Sequence, residues 1–169
     1  MGNTENKGTL YAAGLLFLAL LTAVDQATKY LAGLFLKGSR GIPVIPGVFE
    51  LFYLENRGAA FGLLRNHQWL FVLVALLMFA AAIYVYALLP GGRHYYGMRV
   101  CMILVGAGAL GNMIDRIVHH YVIDFLYVSL IDFPVFNVAD CYVVIGAVLL
   151  LVLVFTLYRD EDFSSLRPW

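Results

Sequence analysis

The sequence has little charge, and its few charged residues balance. Only 13% of the 169 residues are Asp, Glu, Lys or Arg, with 11 basic and 11 acidic side chains. Soluble domains carry about 25% charged residues. A neutral chain lacks the basic surface that nucleic-acid binding requires, so no nucleic-acid partner is expected. Disorder is excluded as well, because 62% of the residues are apolar or aromatic.

The residue types that carry most hydrolytic chemistry are also scarce. The two cysteines, Cys101 and Cys141, lie in apolar runs and predict no disulfide framework. The four serines include none in a G-x-S-x-G motif, and H-E-x-x-H is absent. His120 and Asp124 stand four residues apart but would need a third protein ligand to hold zinc. Serine and zinc mechanisms are therefore disfavoured, and no metal site is predicted.

Four apolar runs approach the length of about 20 residues that a bilayer-spanning helix needs. They cover residues 9–24, 68–89, 100–114 and 141–158. The sequence therefore predicts an all-α integral membrane protein with four transmembrane helices, forming a single domain over residues 1–169. The first run lacks a small-residue cleavage site and continues into the polar residues 25–29. We expect it to be retained as a helix rather than cleaved.

The loops between the runs are unequal. About 40 residues separate the first two runs, which is too long for a simple helix connection. Within them, residues 48–53 are rich in β-forming residues and follow Pro46 and Gly47. This pattern predicts a small β-structured region at the membrane surface between helices 1 and 2. Lys and Arg are divided almost evenly between the two sides, so charge does not orient the chain.

The alternating directions of four successive membrane spans, in contrast, place the ionisable residues at one membrane face. In a four-span chain, the end of the first helix, the end of the third and the start of the fourth share a side with the loop that carries Asn56. A charge at the centre of a membrane helix costs about 2.5–3.5 kcal/mol, so such a cluster predicts a functional site. Its members are Asp25, Lys29, Asp115, Arg116, Asp124 and Asp140.

The third run contains G-x-G-x-x-G at residues 106–111, but no βαβ pattern surrounds it. Small residues that let membrane helices approach closely explain the motif better than a dinucleotide site does. Gly108, Asn112 and Asp115 share one helix face and should point into the bundle. We expect Arg116 to pair with Asp115, although a direct role for Asp115 remains open at this point.

Asp124 and Asp140 have apolar neighbours and are separated by 15 residues, enough for the chain to bring them together. Two close carboxyl groups in an apolar site share a proton, as in aspartic peptidases. Alternatively, Asp140 only caps the fourth helix and Asp124 sits in a wet loop. Two other functions stay open: a proton-coupled transporter with Asp115, Asp124 and Asp140 as its relay, and a passive scaffold with structural ion pairs.

Five short blocks over residues 25–140 resemble the bacterial lipoprotein signal peptidases, also called signal peptidase II. The blocks are Asp25-Gln26-x-x-Lys29, Asn56-x-Gly58-Ala59-Ala60-Phe61, Gly108-x-x-Gly111-Asn112-x-x-Asp115-Arg116, Val122-Ile123-Asp124-Phe125 and Phe136-Asn137-x-Ala139-Asp140. The resemblance implies a multi-pass protein of the bacterial cell (inner) membrane with both termini cytoplasmic. It also implies an intramembrane aspartic endopeptidase that cleaves prolipoproteins just before the diacylglyceryl-modified cysteine.

The resemblance also implies roles for individual residues. Asp124 and Asp140 match the catalytic aspartates, and Asp25 and Lys29 match structural positions, to which we add Asp115. Six residues match positions that line the substrate site: Asn56, Gly108, Asn112, Arg116, Asn137 and Ala139. No metal or organic cofactor is expected. The expected partners of a monomeric enzyme are prolipoproteins, membrane lipids and globomycin-type cyclic peptide inhibitors.

Overall fold

A computed structural model describes residues 6–58 and 68–164. Its four long helices are α1 (Lys7–Phe35), α2 (Gln68–Leu88), α3 (Tyr96–His119) and α4 (Val138–Thr156). Each is long and apolar enough to cross a membrane, which confirms the four predicted spans. A short α5 (Asp160–Ser164) follows. Ala59, Ala60 and Phe61 of the second sequence block lie outside the described residues.

Helices α1 and α3 continue beyond the apolar runs that predicted them. The α1 helix passes through Asp25 and Lys29, and α3 passes through Asp115 and Arg116. These polar residues do not end the helices, because most of their side chains have partners inside the bundle. A scan for uncharged runs therefore underestimates both helices.

The α3 helix is the central element of the bundle and packs against α1, α2 and α4. Its glycines allow this close approach. A Cβ at Gly106 would lie 3.3 Å from the Leu18 side chain of α1, and one at Gly146 of α4 would lie 3.1 Å from the Cys101 carbonyl oxygen of α3. The G-x-G-x-x-G sequence is thus part of a packed helix, as the packing interpretation predicts.

A three-stranded antiparallel sheet completes the fold. Its strands, in spatial order, are β1 (Ile42–Ile45), β2 (Phe49–Asn56) and β3 (Val122–Tyr127). The predicted β region between helices 1 and 2 is confirmed, but the sheet is larger than expected because β3 comes from the α3–α4 connection. The wet-loop interpretation of Asp124 is wrong, since this residue lies in β3 and is 1% exposed.

The β2–β3 register places Asn56 beside Asp124. Leu54 pairs with Asp124 and Asn56 pairs with Val122, so Asn56 is the diagonal neighbour of Asp124 on one face of the sheet. The chain enters β3 directly from α3 through His120, which adopts a left-handed conformation with φ of 63°. The sheet therefore carries Asn56 and Asp124 to the end of α3.

Candidate active site

The two aspartates are joined through Asn137, the fully buried N-cap of α4. The Nδ2 group of Asn137 donates to Oδ1 of Asp124 over 2.6 Å, and its backbone N–H donates to Oδ2 of Asp140 over 3.1 Å. In return, Oδ1 of Asn137 accepts from the backbone N–H of Asp140 over 3.0 Å. This reciprocal arrangement is a capping box, which starts the helix and places Asp140 in its first turn. Asp140 can therefore take part in capping α4 and also form a pair with Asp124.

Two further asparagines supply one donor to each carboxyl group. Asn56 Nδ2 donates to Oδ2 of Asp124, and Asn112 Nδ2 donates to Oδ1 of Asp140, both over 2.8 Å. All four carboxyl oxygens therefore accept a hydrogen bond from an uncharged N–H group. Such donors fix the orientation of the carboxyl groups without adding charge to the site.

Burial of Asp124 between the sheet and the helices changes its ionisation. Loss of water around the carboxyl group raises the pKa of Asp124 to about 7, and the nearby Asp140 carboxyl group acts in the same direction. The hydrogen bonds from Asn56 and Asn137 oppose this shift, because they favour the ionised form. Asp124 is therefore protonated through most of the range below neutral pH.

A buried charged trio supports the pair from the side of α1. Lys29 Nζ lies 2.8 Å from Oδ2 of Asp25 and 3.1 Å from Oδ2 of Asp115, and each of these residues is at most 1% exposed. Asp25 also accepts the backbone N–H of Ala139 over 2.9 Å, and Asp115 accepts that of Ile123 over 3.0 Å. The trio therefore ties α1 and α3 to the first turn of α4 and to β3.

The predicted pair between Arg116 and Asp115 is wrong. Consecutive helix residues point about 100° apart, so Asp115 turns towards Lys29 while Arg116 turns towards α2. There, Arg116 Nη1 donates to Oε1 of Gln68 over 3.2 Å, and the guanidinium group lies 4.5 Å from the ring centroid of Phe71. The Gln68 side chain also donates to the backbone carbonyl of Arg57, next to Asn56. Nothing in the sequence had identified Gln68 as part of this arrangement.

Gly108 and Ala139 meet at the contact between α3 and α4. A Cβ on Gly108 would collide with the carbonyl oxygen of Ala139 and would lie 2.6 Å from Cγ2 of Val143. Ala139 is fully buried. The structure thus places both residues in a tight helix contact immediately before Asp140. Within residues 6–58 and 68–164, no group of three His, Cys, Asp or Glu side chains could hold a metal ion.

Arg116→Ala should leave the protein folded, because Asp115 keeps Lys29 as its partner and no buried carboxylate loses an ion-pair partner. The measurement is the thermal unfolding midpoint in detergent, with Lys29→Ala for comparison. We expect a small change for Arg116→Ala and a large decrease for Lys29→Ala, since an unpaired buried charge costs roughly 3–5 kcal/mol. Equal destabilisation by the two variants would contradict this assignment of partners.

Comparison with known protein families gives a consistent result. Residues 17–156 match the family model described as signal peptidase (SPase) II. A lipoprotein signal peptidase from Streptococcus pyogenes serotype M1 is 38% identical over 151 residues, covering 89% of this chain and 96% of the relative. Its counterpart from serotype M5 (strain Manfredo) is 37% identical with the same coverage.

Two solved structures described as bacterial membrane enzymes share the fold. One has a TM-score of 0.74 at 28% identity and covers 94% of this chain and 93% of its own. The other has a TM-score of 0.74 at 29% identity, with 86% and 94% covered. Together with the four apolar helices, these similarities establish a multi-pass membrane protein.

Proposed function

The chain belongs to the signal peptidase II family, and we propose that it removes signal peptides from prolipoproteins as an intramembrane aspartic endopeptidase. The observation that carries the aspartic mechanism is the coupling of Asp124 and Asp140 through the two N–H groups of Asn137. In the family resemblance, these aspartates are the catalytic residues. Their burial and their uncharged donors suit a pair that holds one proton.

The proposed reaction needs one ionised and one protonated carboxyl group. The ionised group accepts a proton from water as the water oxygen attacks the scissile carbonyl carbon, and the protonated group donates to the carbonyl oxygen. The resulting tetrahedral intermediate collapses when the amide nitrogen receives a proton and the C–N bond breaks. One intermediate hydroxyl proton then returns to the pair, which regains its starting state.

We place the scissile bond just before a diacylglyceryl-modified cysteine. The support is that Asp140 lies in the first turn of the membrane-spanning α4 and that Asp115 of the supporting trio lies about one turn before the end of α3. A substrate bound there can keep its acyl chains in the bilayer. Asn56, hydrogen-bonded to Asp124, and Arg116, hydrogen-bonded to Gln68 at the start of α2, are the polar groups we assign to peptide binding.

Orientation follows from the same proposal. An even number of spans puts both termini on one side and the pair on the other, and exported precursors reach the outer face of the bacterial inner membrane. Both termini are therefore assigned to the cytoplasm. We further propose that the enzyme works as a monomer among membrane lipids, without metal or cofactor, and that globomycin-type cyclic peptides inhibit it.

The function is tested with a purified prolipoprotein that does or does not carry the diacylglyceryl group. We expect cleavage at the bond before the lipidated cysteine, identified from the product masses. A precursor with that cysteine replaced by alanine is the control, since it cannot be lipidated. Equal cleavage of all three precursors would contradict the proposed substrate class, and cleavage of none by the folded protein would contradict the function.

The pH dependence of cleavage provides a test of the pair. Because the pKa of Asp124 is about 7, kcat/KM should fall as the pH rises through about 7 and both carboxyl groups become ionised. In Asn56→Leu this alkaline limb should move to higher pH. The lost N–H donor had favoured ionised Asp124, so its removal raises the pKa further. An alkaline limb that stays in place or moves to lower pH would contradict the assignment.

A further inference from the structure

Lys29 is a buried cation to which the proposed reaction gives no role. Besides its two carboxylate partners, its ammonium group donates to Oδ1 of Asn112 over 2.9 Å. An ammonium group can only donate hydrogen bonds, so it must face the carbonyl oxygen of the Asn112 amide. The Nδ2 group of that amide is thereby turned away from Lys29 and towards Oδ1 of Asp140, 2.8 Å away. Asn137 Nδ2 donates to the same Oδ1 over 3.1 Å, so Lys29 and Asn137 together fix which end of the Asn112 amide meets Asp140.

Two features beside the Asp140 carboxyl group, its hydrogen-bond donors and a helix N-terminus, stabilise negative charge on it. Its carboxyl group accepts the Asn112 amide and the Asn137 backbone N–H, so both oxygens face donors. It also lies in the first turn of α4, where the helix dipole stabilises negative charge. Asp124 accepts two amide donors as well, but it lies on a strand rather than in the first turn of a helix. Each carboxyl group thus accepts two N–H donors, but only Asp140 lies in the first turn of a helix.

The other charged groups around the pair come from three elements: Asp25 and Lys29 of α1, Asp115 and Arg116 of α3, and Asp124 of β3. The negative charges of Asp25 and Asp115 are compensated by Lys29 and by the backbone donors of Ala139 and Ile123. Arg116 is held by Gln68 and Phe71 on α2. Lys29 is therefore the cation connected to Asp140 through a single intervening side chain.

We propose that Lys29 is a positioning residue that acts through Asn112 to keep Asp140 the ionised member of the pair. Asp140 then accepts the proton of the attacking water, and Asp124 donates its proton to the scissile carbonyl oxygen. When the intermediate collapses, Asp140 returns a proton to the leaving amine as the C–N bond breaks, and Asp124 regains one from the intermediate hydroxyl. This assignment rests on the proposed aspartic mechanism.

The double variant Lys29→Met/Asp115→Asn separates positioning from structural support. Lys29→Met alone leaves two buried carboxylates without their cation, whereas the double variant keeps the net charge of the trio at −1 with side chains of similar size. Without the ammonium donor, Oδ1 of Asn112 keeps only the donor from Asn137, so the amide is held less firmly, and Asp140 loses a favourable charge. The acid limb of the pH–rate profile is the rise of kcat/KM as the proton-accepting carboxyl group ionises. In the double variant this rise should therefore occur about one pH unit higher than in the parent.

The controls are Asp115→Asn, which retains Lys29, and Lys37→Met, which removes an exposed lysine paired with Glu55. Neither should move the acid limb to higher pH. A role confined to structural support predicts the parental profile for the folded double variant, and that result would overturn the proposal. Should the double variant unfold, Asn112→Leu removes the same connection while Lys29 keeps both carboxylate partners, and it should move the acid limb in the same direction. An unmoved limb in folded Asn112→Leu would equally overturn it.

A spectroscopic readout decides the ionisation states independently of cleavage. Near pH 6 the infrared band of a protonated buried carboxyl group should be present in the parent and in Asp140→Asn, but absent from Asp124→Asn. Loss of the band in Asp140→Asn instead, with retention in Asp124→Asn, would overturn the assignment even for an active enzyme. Failure of the parent to cleave any precursor would contradict the proposed function. The infrared measurement would still show whether Asp140 is the ionised member of the pair, because it does not depend on cleavage.

Discussion

Replacing either Asp124 or Asp140 by asparagine should reduce cleavage by roughly 10²–10⁴-fold, the range that a general acid or base contributes. The asparagine amide has nearly the shape of the carboxyl group but can neither accept a proton from water nor supply one to a carbonyl. Both variants should remain folded, because each removes a buried carboxyl group and creates no new buried charge. The measurement is cleavage of the lipidated precursor at equal amounts of folded protein.

A matched control for these variants is Asp132→Asn. Asp132 lies in the same connection between α3 and α4 but is exposed, and it accepts a hydrogen bond from Tyr127. Its left-handed backbone, with φ of 49°, also suits asparagine. Cleavage by Asp132→Asn should equal that of the parent. Parental activity in folded Asp124→Asn or Asp140→Asn would remove the basis for an aspartic mechanism.

Gly108→Ala should impair both stability and cleavage, although it changes no polar group. The added Cβ collides with the carbonyl oxygen of Ala139, so α4 must move away from α3 or both helices must deform. Overpacking of this kind costs about 1–3 kcal/mol. The displaced residue is the immediate neighbour of Asp140, and a misplacement of about 1 Å can reduce a reaction rate by roughly 10²-fold. Both the thermal midpoint and kcat should therefore fall.

The control for this variant is Gly33→Ala in α1, where an added Cβ meets nothing within 4 Å. Alanine is also the better helix former, so this substitution should leave stability unchanged or raise it slightly. Gly33→Ala should cleave like the parent. A Gly108→Ala protein with parental midpoint and parental kcat would show that the close contact between α3 and α4 does not position Asp140.

The sequence predicted well those features that depend on local patterns. Hydrophobic length identified the four helices, and the β-forming residues after Gly47 identified part of the sheet. The pattern Val122-Ile123-Asp124-Phe125-Leu126-Tyr127 is equally rich in β-forming residues, so it could have predicted β3 as well. What it could not supply is the partner of β3, because β2 lies more than 60 residues earlier in the chain.

The charged residues show why the remaining contacts were not predictable. Arg116 follows Asp115 in sequence, but the helix turns their side chains in different directions and a lysine from α1 takes the place of the arginine. The contact between Lys29 and Asn112 joins residues 83 positions apart. Gln68 begins α2 with no local pattern that marks it as a partner of Arg116. Each of these contacts depends on how the helices pack, which a single sequence does not encode in a local motif.

The proposed aspartic mechanism is tested most directly by hydrolysis of a diacylglyceryl-modified prolipoprotein by the purified parent protein in the presence of a metal chelator. We expect two products whose ends define cleavage at the bond before the lipidated cysteine, formed at the same rate with and without chelator. Hydrolysis that the chelator abolishes would contradict an aspartic mechanism. No hydrolysis by a folded parent would contradict the peptidase function itself and favour a proton-coupled transporter that uses the same carboxyl groups.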